Sequence, residues 1–416
     1  MRIRAIFFIL ILPFFLANSQ EKREMNFDEF MQYVLTNNLE LIIEQYEVTA
    51  ATAAVTAARI FEDPELEMIF PMFRSDEFDE MPRSIAFEME IPIELFGKRR
   101  NRIRLARMEQ YAAEAELEDF LRYLRAEAAE AFIELLTEQK KLQRMELTLQ
   151  QLNQLLEVNK ALYEAGDIGE VDVIKTRLEA RNFHAELFDA RMELSEILSG
   201  IHFMMGGIPA DSLVLTGEMV SRQIAVDYPW LREQAISRRS DVIAAQRYVQ
   251  ASEIGMRLAR SERLPNISII AGYHNETGRS PMPGMSATYG GLIIPLQFSG
   301  LNRGEYQMAT VAYEQSQTML SATILEVEAG IKRAWDNHRL LSQKRLLFDE
   351  SILSDAEKVR DAVVFSYQRG EVSLLEVLEA QSALNETYIN YYDTQAQYTN
   401  SIIELSRESG EWLLAF

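Results

Sequence analysis

The chain has no cysteine, which excludes disulfides, thiolate metal sites, iron–sulfur clusters, cysteine nucleophiles and a lipid anchor on a thioether. Glycine (18) and proline (11) are too few in 416 residues for an all-β protein. Basic residues are also short, 42 Lys+Arg against 64 Asp+Glu, for a net charge of −22. That balance argues against nucleic acid as a partner, because phosphate recognition needs a basic face. No stretch reaches the roughly 20 apolar residues of a membrane-spanning helix. With 48% apolar residues, the chain is far from the composition of a disordered one. A large, acidic, mostly helical protein is what these absences leave.

The N-terminus is laid out as an export signal. Arg2 and Arg4 precede the apolar run Ile6–Leu16, and the small residues Ala17, Asn18 and Ser19 follow. About 11 apolar residues suit a cleaved signal over residues 1–19 better than a spanning helix. A buried N-terminal helix is the plainer alternative.

Shifted on itself by roughly 200 residues, the sequence repeats. Ile91-Pro92-Ile93-Glu94-Leu95-Phe96-Gly97 aligns with Ile294-Pro295-Leu296-Gln297-Phe298-Ser299-Gly300. Tyr163, Gly166, Asp172 and Val173 align with Tyr367, Gly370, Glu376 and Val377, and Pro64 with Pro265. Two units are therefore expected, at 20–206 and 229–416, joined by a linker over 207–228. Each reads helix, strand, strand, long helix, turn, helix. In the first unit the strands fall near 64–73 and 84–95, the long helix at 97–163 and its turn at 164–170. In the second they fall near 265–275 and 286–297, with the helix at 300–367 and the turn at 368–373.

The first long helix carries a heptad seam. Leu121, Ala128, Leu135, Leu142, Leu149, Leu156 and Tyr163 recur at one core position. Leu124, Ala131, Met145 and Leu152 hold the other, interrupted by Glu138 and Asn159. Sustained heptads mean coiled-coil packing, here over roughly 100 Å. The second unit keeps Val327, Ala334, Leu341, Phe348 and Ala362, but His338 and Arg345 occupy the other seam position, so this seam is expected to be weaker or to face water.

The strands alternate. Ile85, Phe87, Met89, Ile91 and Ile93 face one way and Glu88 and Glu90 the other, as Leu66 and Met68 oppose Glu65 and Glu67. Period-two patterning gives one apolar and one wet face. About 10 residues per strand suffice to cross a bilayer when tilted. Four strands cannot close a barrel alone and open edges are not tolerated in lipid, so several copies would have to contribute. An ordinary α+β domain, with two hairpins packed on helices, would explain the strands but not the export signal or the long helices.

With these residues in view the chain resembles the TolC-like outer membrane efflux family over nearly its whole length. The exits from both hairpins look like the family's strand-to-helix junctions, at Pro92, Gly97, Pro295 and Gly300. Gly97-Lys98-Arg99 is similar to the branch serving heavy-metal (cobalt–zinc–cadmium) exporters. Arg239-Ser240-Asp241-Val242 resembles a family helix start, with Ser240 in place of proline. The turns Tyr163…Gly166…Asp172 and Tyr367…Gly370…Ser373…Glu376 look like the periplasmic tip, with Gly169 replacing a small hydroxyl residue.

The resemblance implies a mainly α protein with a membrane β-barrel. Three chains would form a twelve-stranded outer-membrane barrel, continued across the periplasm by an α-helical coiled-coil tunnel. It implies an inner-membrane pump and a periplasmic adaptor as partners, outer-membrane lipid around the barrel, and a passive conduit with no catalytic residue, cofactor or bound structural metal. Gly166, Asp167, Gly169, Asp172, Gly370, Glu371, Ser373 and Glu376 become candidates for the tip and its docking rim. Helix capping alone would also account for these residues. Glu65, Glu67, Glu88 and Glu90 become candidates for lining the lumen, where carboxylates favour cations. His184, His202, His274 and His338 have no metal-ligand spacing, and no P-loop, dinucleotide fingerprint, metalloprotease helix or nucleophile elbow is present. Heavy-metal cations are the expected cargo. A drug or small-molecule duct is the first alternative, and a soluble periplasmic coiled-coil adaptor the second.

Overall fold

The computed structural model describes residues 23–70, 84–207, 213–219, 227–276, 283–296, 302–348 and 350–414. The candidate signal over 1–19, Gly300 and most of the linker lie outside them. Strand β1 (Arg23–Met25) leads into α1 (Phe27–Asn37) and α2 (Leu39–Ala58). Asn26 and Glu29 close a capping box on α1, and Asn38 caps α2 by accepting from the Leu41 N–H. Strands β2 (Glu65–Ile69) and β3 (Ser84–Ile93) precede α3 (Lys98–Ala165), 68 residues without internal proline or glycine. α4 (Glu170–Met204) returns alongside it, and β4 (Leu213–Leu215) pairs in parallel with β1. The same helix–strand–strand–helix order follows in α5 (Tyr228–Arg238), α6 (Ser240–Glu262), β5 (Ile267–Glu276), β6 (Met285–Ile293), α7 (Arg303–Arg345), α8 (Glu350–Gln368) and α9 (Leu374–Ser409).

The single helix expected over 300–367 is divided. α7 ends at Arg345 and α8 begins at Glu350. The Leu347 and Phe348 N–H groups donate to the Lys344 and Arg345 carbonyls three residues back, tightening the chain out of the α-helical pattern. Leu346 and Leu347 are exposed there. No proline or glycine marks the break, so the local sequence carried no signal for it.

The helices lie side by side in two rows that share α3 and α7. In one row α2 packs on α3, α3 on α6, and α6 on α7; in the other α4 packs on α3, α3 on α9, and α9 on both α7 and α8. Where the rows meet is the largest core cluster. Phe132 of α3 takes the rings of Phe27 and Phe30 at centroid distances of 5.2 and 5.7 Å, with Tyr398 and Ile402 of α9 fully buried in the same cluster. Gln139 ties β4 to α3 by donating to the Leu213 carbonyl and accepting from the Leu215 N–H.

The heptad interruptions are polar contacts rather than gaps. Glu138 pairs with Lys141, which reaches Asp393 on α9 at 2.5 Å. Asn159 is fully buried and hydrogen bonded. In the second unit the expectation that the seam is weak or wet at His338 is corrected. His338 is only 5% exposed, with Nδ1 2.9 Å from Ser401 Oγ on α9.

The two hairpins join into one antiparallel sheet of order β2-β3-β5-β6 among the described residues. The central ladder runs from Ser84↔Glu276 to Ile93↔Ile267, so strands distant in sequence form its middle. The β2 ladder ends at Glu65↔Glu90. Pro92 therefore lies past it, where β3 has a described neighbour on one side only and a missing N–H is tolerated.

Candidate functional site

The two helical turns are built alike. Gly166 and Gly370 have φ of +84° and +74°, a left-handed cap that glycine adopts without steric cost. At the first, the Gly166 N–H donates to the Tyr163 carbonyl and the Asp167 N–H to the Leu162 carbonyl, each 2.9 Å. At the second, the Gly370 and Glu371 N–H groups do the same to Tyr367 and Ser366 at 2.9 and 3.0 Å. Both helices thus end in a Schellman motif.

The returning helices differ. Ser373 caps α9 in a capping box with Glu376, while Gly169 leaves α4 without a side-chain cap. Glu170 and Asp172 in the first turn of α4 set negative charge against its positive end instead. A side-chain cap is worth about 1 kcal/mol, so the first turn is held less firmly than the second.

Behind the turns, Asn159 of α3 joins both helical hairpins. Its amide donates to Thr176 Oγ1 on α4 at 2.8 Å, and its carbonyl oxygen accepts from the Tyr367 hydroxyl on α8 at 3.0 Å. Thr176 in turn donates to the Asp172 carbonyl. Burial, and then the Asp172 charge, push the Tyr367 hydroxyl above its ordinary pKa, while the Asn159 bond pulls it back. Tyr367 packs with Leu374 and Val377 of α9, next to Leu155 of α3. Asn159 and Thr176 escaped the sequence reading as site residues. The signal was there, a polar residue in an apolar seam position, where buried amides fix register.

In the sheet, Glu65 is paired with Glu90 and Glu67 with Glu88, which puts all four carboxylates on one face. Like charges directly opposite are unfavourable unless solvated. Tyr289 of β6 reaches across β5 and donates to Glu88 Oε2 at 2.6 Å. It can do so because the intervening residue is Gly272, where a Cβ would come within 2.4 Å of Tyr289 Cζ. His274 and Ala86 continue this face in the next paired row. The opposite face carries Leu66, Met68, Phe87, Met89, Ile91, Ile269 and Leu292, all exposed. An exposed apolar face of this extent marks a lipid or protein contact.

The strand-to-helix junction assigns work to the Gly-Lys-Arg triple. Phe96 and Gly97 have positive φ (+59° and +74°), turning the chain sharply into α3. Lys98, 8% exposed, donates to the Leu264 carbonyl at 2.6 Å and to Asn266 Oδ1 at 2.7 Å, tying α3 to the start of β5. Burial lowers its pKa, with Glu262 and Glu94 opposing. Arg99 donates to the Arg59 carbonyl at the end of α2 and lies 3.8 Å over the Phe61 ring. Arg102 pairs bidentately with Glu94. Lys98 and Arg99 thus clamp the start of α3 to the end of α2 and to the stretch between α6 and β5. In the second unit Asn302, at φ +49°, donates to the Glu262 carbonyl, and Pro295 is exposed just past β6.

Arg239 of the Arg-Ser-Asp-Val motif is buried. It chelates Asp241 at 3.1 and 2.7 Å and reaches Glu408 of α9 at 2.7 Å. Burial works against its charge, but Asp241 and Glu408 outweigh this and raise its pKa. Among the described residues, no group of three or more His, Asp or Glu is arranged to hold a metal ion. No described helix is long and apolar enough to cross a membrane.

These features agree with known proteins. The chain is 22% identical over 374 residues to the cobalt-zinc-cadmium resistance protein CzcC of Cupriavidus metallidurans, covering 90% of this chain and 87% of the relative. It is 21% identical over 345 residues to the cation efflux system protein CusC of Escherichia coli, covering 79% and 73%. Its fold superposes on the Campylobacter jejuni CmeC outer membrane channel with a TM-score of 0.76 at 13% identity, over 93% of this chain and 87% of that one. The family described as "Outer membrane efflux protein" matches residues 31–207 and 231–411, so the chain belongs to this family of passive channels and is not an enzyme.

Proposed function

We infer that the protein is the outer-membrane duct of a tripartite efflux system and that its cargo is heavy-metal cations. The observation that carries the duct is a pair of matching open edges. The sheet ends in β2 on one side and β6 on the other. The helical row ends in α2 and α7, which expose Leu39, Ile43 and Tyr46 on one side and Met308, Val311 and Leu325 on the other. Each edge of one chain suits the opposite edge of the next, a head-to-tail contact that closes into a ring. Three chains give a twelve-stranded barrel with the apolar face in lipid and the glutamate face in the lumen. The helical rows continue it as a tunnel through the periplasm, with the Gly166 and Gly370 turns at its far end as the gate and adaptor rim. The corresponding elements of the halves support an internal duplication.

Family membership places the channel in an outer membrane. The finer assembly, a homotrimer docked by a periplasmic adaptor on an inner-membrane pump, follows from the same reading. Export through a cleaved signal without lipid attachment fits the cysteine-free sequence. The soluble-adaptor alternative is set aside by the family match. The metal reading draws on the names of the relatives CzcC and CusC and on the four carboxylates, since Lys98 and Arg99 are occupied as structural donors. Cells lacking the protein should lose tolerance to cobalt, zinc or cadmium. Unchanged metal tolerance with new sensitivity to dyes would overturn the metal cargo and leave the duct.

A further inference from the structure

One cavity among the described residues lies away from both the turns and the sheet. It is a groove of about 1020 Å³ whose floor is α6 and whose walls are α3 and α7. Small residues, Ala244, Ala251 and Gly255, make the floor low, and Leu105, Phe120 and Tyr123 give it an apolar, aromatic wall. Small-molecule sites typically span about 300–1,000 Å³ and have such linings.

Its charge is of one sign. The lining includes Glu44, Glu109, Glu116, Asp119 and Asp241, and no lysine, arginine or histidine. Two of the five are neutralised from behind the wall. Asp119 is bound by Arg122 at 2.6 Å and Asp241 by Arg239 at 2.7 Å. Glu116 accepts from the Tyr248 hydroxyl at 2.7 Å, which holds a neutral ring against the carboxylate. Glu44, Glu109 and Glu116 form no ion pair among those described, leaving the groove an excess of negative charge beside the Phe120 and Tyr248 rings, while Arg122 lies 4.3 Å over the Tyr123 ring. A small hydrated metal ion would have no use for the apolar floor, and a neutral hydrophobe none for the carboxylates. A planar or bulky organic cation uses both, through charge, cation–π contact and apolar burial.

We propose that the α3–α6–α7 groove is a binding site for hydrophobic organic cations. Every residue lining the groove, on α2, α3, α6 and α7, comes from a single chain. The site goes beyond the metal reading and does not depend on it. Metal tolerance tests the cargo, whereas direct binding tests the groove.

The test uses the full-length protein in detergent, with ethidium as the probe and the anion fluorescein as the control. Saturable ethidium binding is expected at low salt, with none for fluorescein. Glu109→Gln/Glu116→Gln should weaken ethidium about fivefold or more, since two charges facing the ligand are lost. Filling the floor with Ala251→Trp should abolish binding without changing the oligomer mass. Gly255→Leu is a second filler and carries the test if Ala251→Trp fails to assemble. Absence of saturable binding, or affinity unchanged in both the glutamine and the filled variants, overturns the proposal. Loss of assembly in both fillers means that a second copy occupies the groove, and overturns it too.

Discussion

Tyr367 on α8 donates its hydroxyl to Asn159 on α3, and the same Asn159 amide holds Thr176 on α4. One buried side chain thus links the two helical hairpins a short way behind their turns. If these turns form the gate proposed above, opening it requires the hairpins to separate as bodies, and the Asn159 link would hold them together.

Removing that link should favour opening. Tyr367→Phe deletes one hydrogen bond, worth about 1 kcal/mol, and leaves the Asn159 oxygen unsatisfied. Asn159→Ala removes both bonds and should act more strongly. In planar bilayers both variants should show a larger or more frequently open conductance than the wild type, in the order Asn159→Ala above Tyr367→Phe. Conductance unchanged in both would mean that the closed end is held elsewhere.

The buried clasp of α6 to α9 should be sensitive to one methyl group. A Cβ at Gly330 of α7 would lie 2.5 Å from Glu408 Oε2, the atom that receives Arg239. Gly330→Ala should therefore push the Glu408 carboxylate off Arg239, which keeps Asp241 and the Glu408 carbonyl, and cost about 1.5–3 kcal/mol, as losing a charge-assisted hydrogen bond does. Thermal unfolding measures this. Adding Glu408→Ala should cost less in the Gly330→Ala background than in the wild type, because the shared pair is already broken.

The sequence exposed some of this architecture and hid the rest for identifiable reasons. The alternation at Ile85–Ile93 showed a two-faced strand, because period two is local. The partner of that strand was not legible: β3 pairs with β5, whose Tyr273 sits opposite Phe87, and no local pattern specifies a neighbour so distant in sequence. Gly166 and Gly370 stood out because a left-handed cap selects glycine. Asn159 stood out only as a flaw in the heptads, since its partner Tyr367 lies on a different helix. His338 misled for the same reason: a polar seam residue suggested water, whereas Ser401 on α9 satisfies it. The division between α7 and α8 left no trace, having neither proline nor glycine.

Lys98 offers a test of motif against mechanism. Lys98→Met loses donors to Leu264 and Asn266 while keeping the aliphatic length. Two buried acceptors left unmet should cost about 2–4 kcal/mol and lower the unfolding midpoint. If the clamp is all that the triple does, any variant that still assembles will keep the wild-type ranking of tolerance among zinc, cobalt and cadmium. A changed ranking would return Lys98 to the cargo path.

The carboxylate face should set ion preference if it lines the lumen. Glu88→Lys/Glu90→Lys reverses the charge at two of the four positions, and in a ring of copies the change repeats around the pore. Wide pores are screened within about 8 Å at physiological salt, so the effect should be clearest at low ionic strength. The reversal potential across a salt gradient should move toward anions. An unmoved potential in a channel that still conducts would remove these residues from the lumen.

Two tyrosines should titrate late. Tyr248 is pushed up to about 12 by burial and by its bond to Glu116, and Tyr388 to about 12 by burial and its bond to Glu357. Both folded values exceed the ordinary value of 10.0, so the neutral phenol is favoured in the folded state. Their contribution to stability is complete below about pH 10 and is lost as the pH rises toward about 12. Tyrosinate absorbance on an alkaline titration should show a late fraction that shrinks in Tyr248→Phe and again in Tyr248→Phe/Tyr388→Phe. Glu116→Gln should bring the Tyr248 step earlier, because the charge that opposes ionisation is gone, while leaving that of Tyr388 in place.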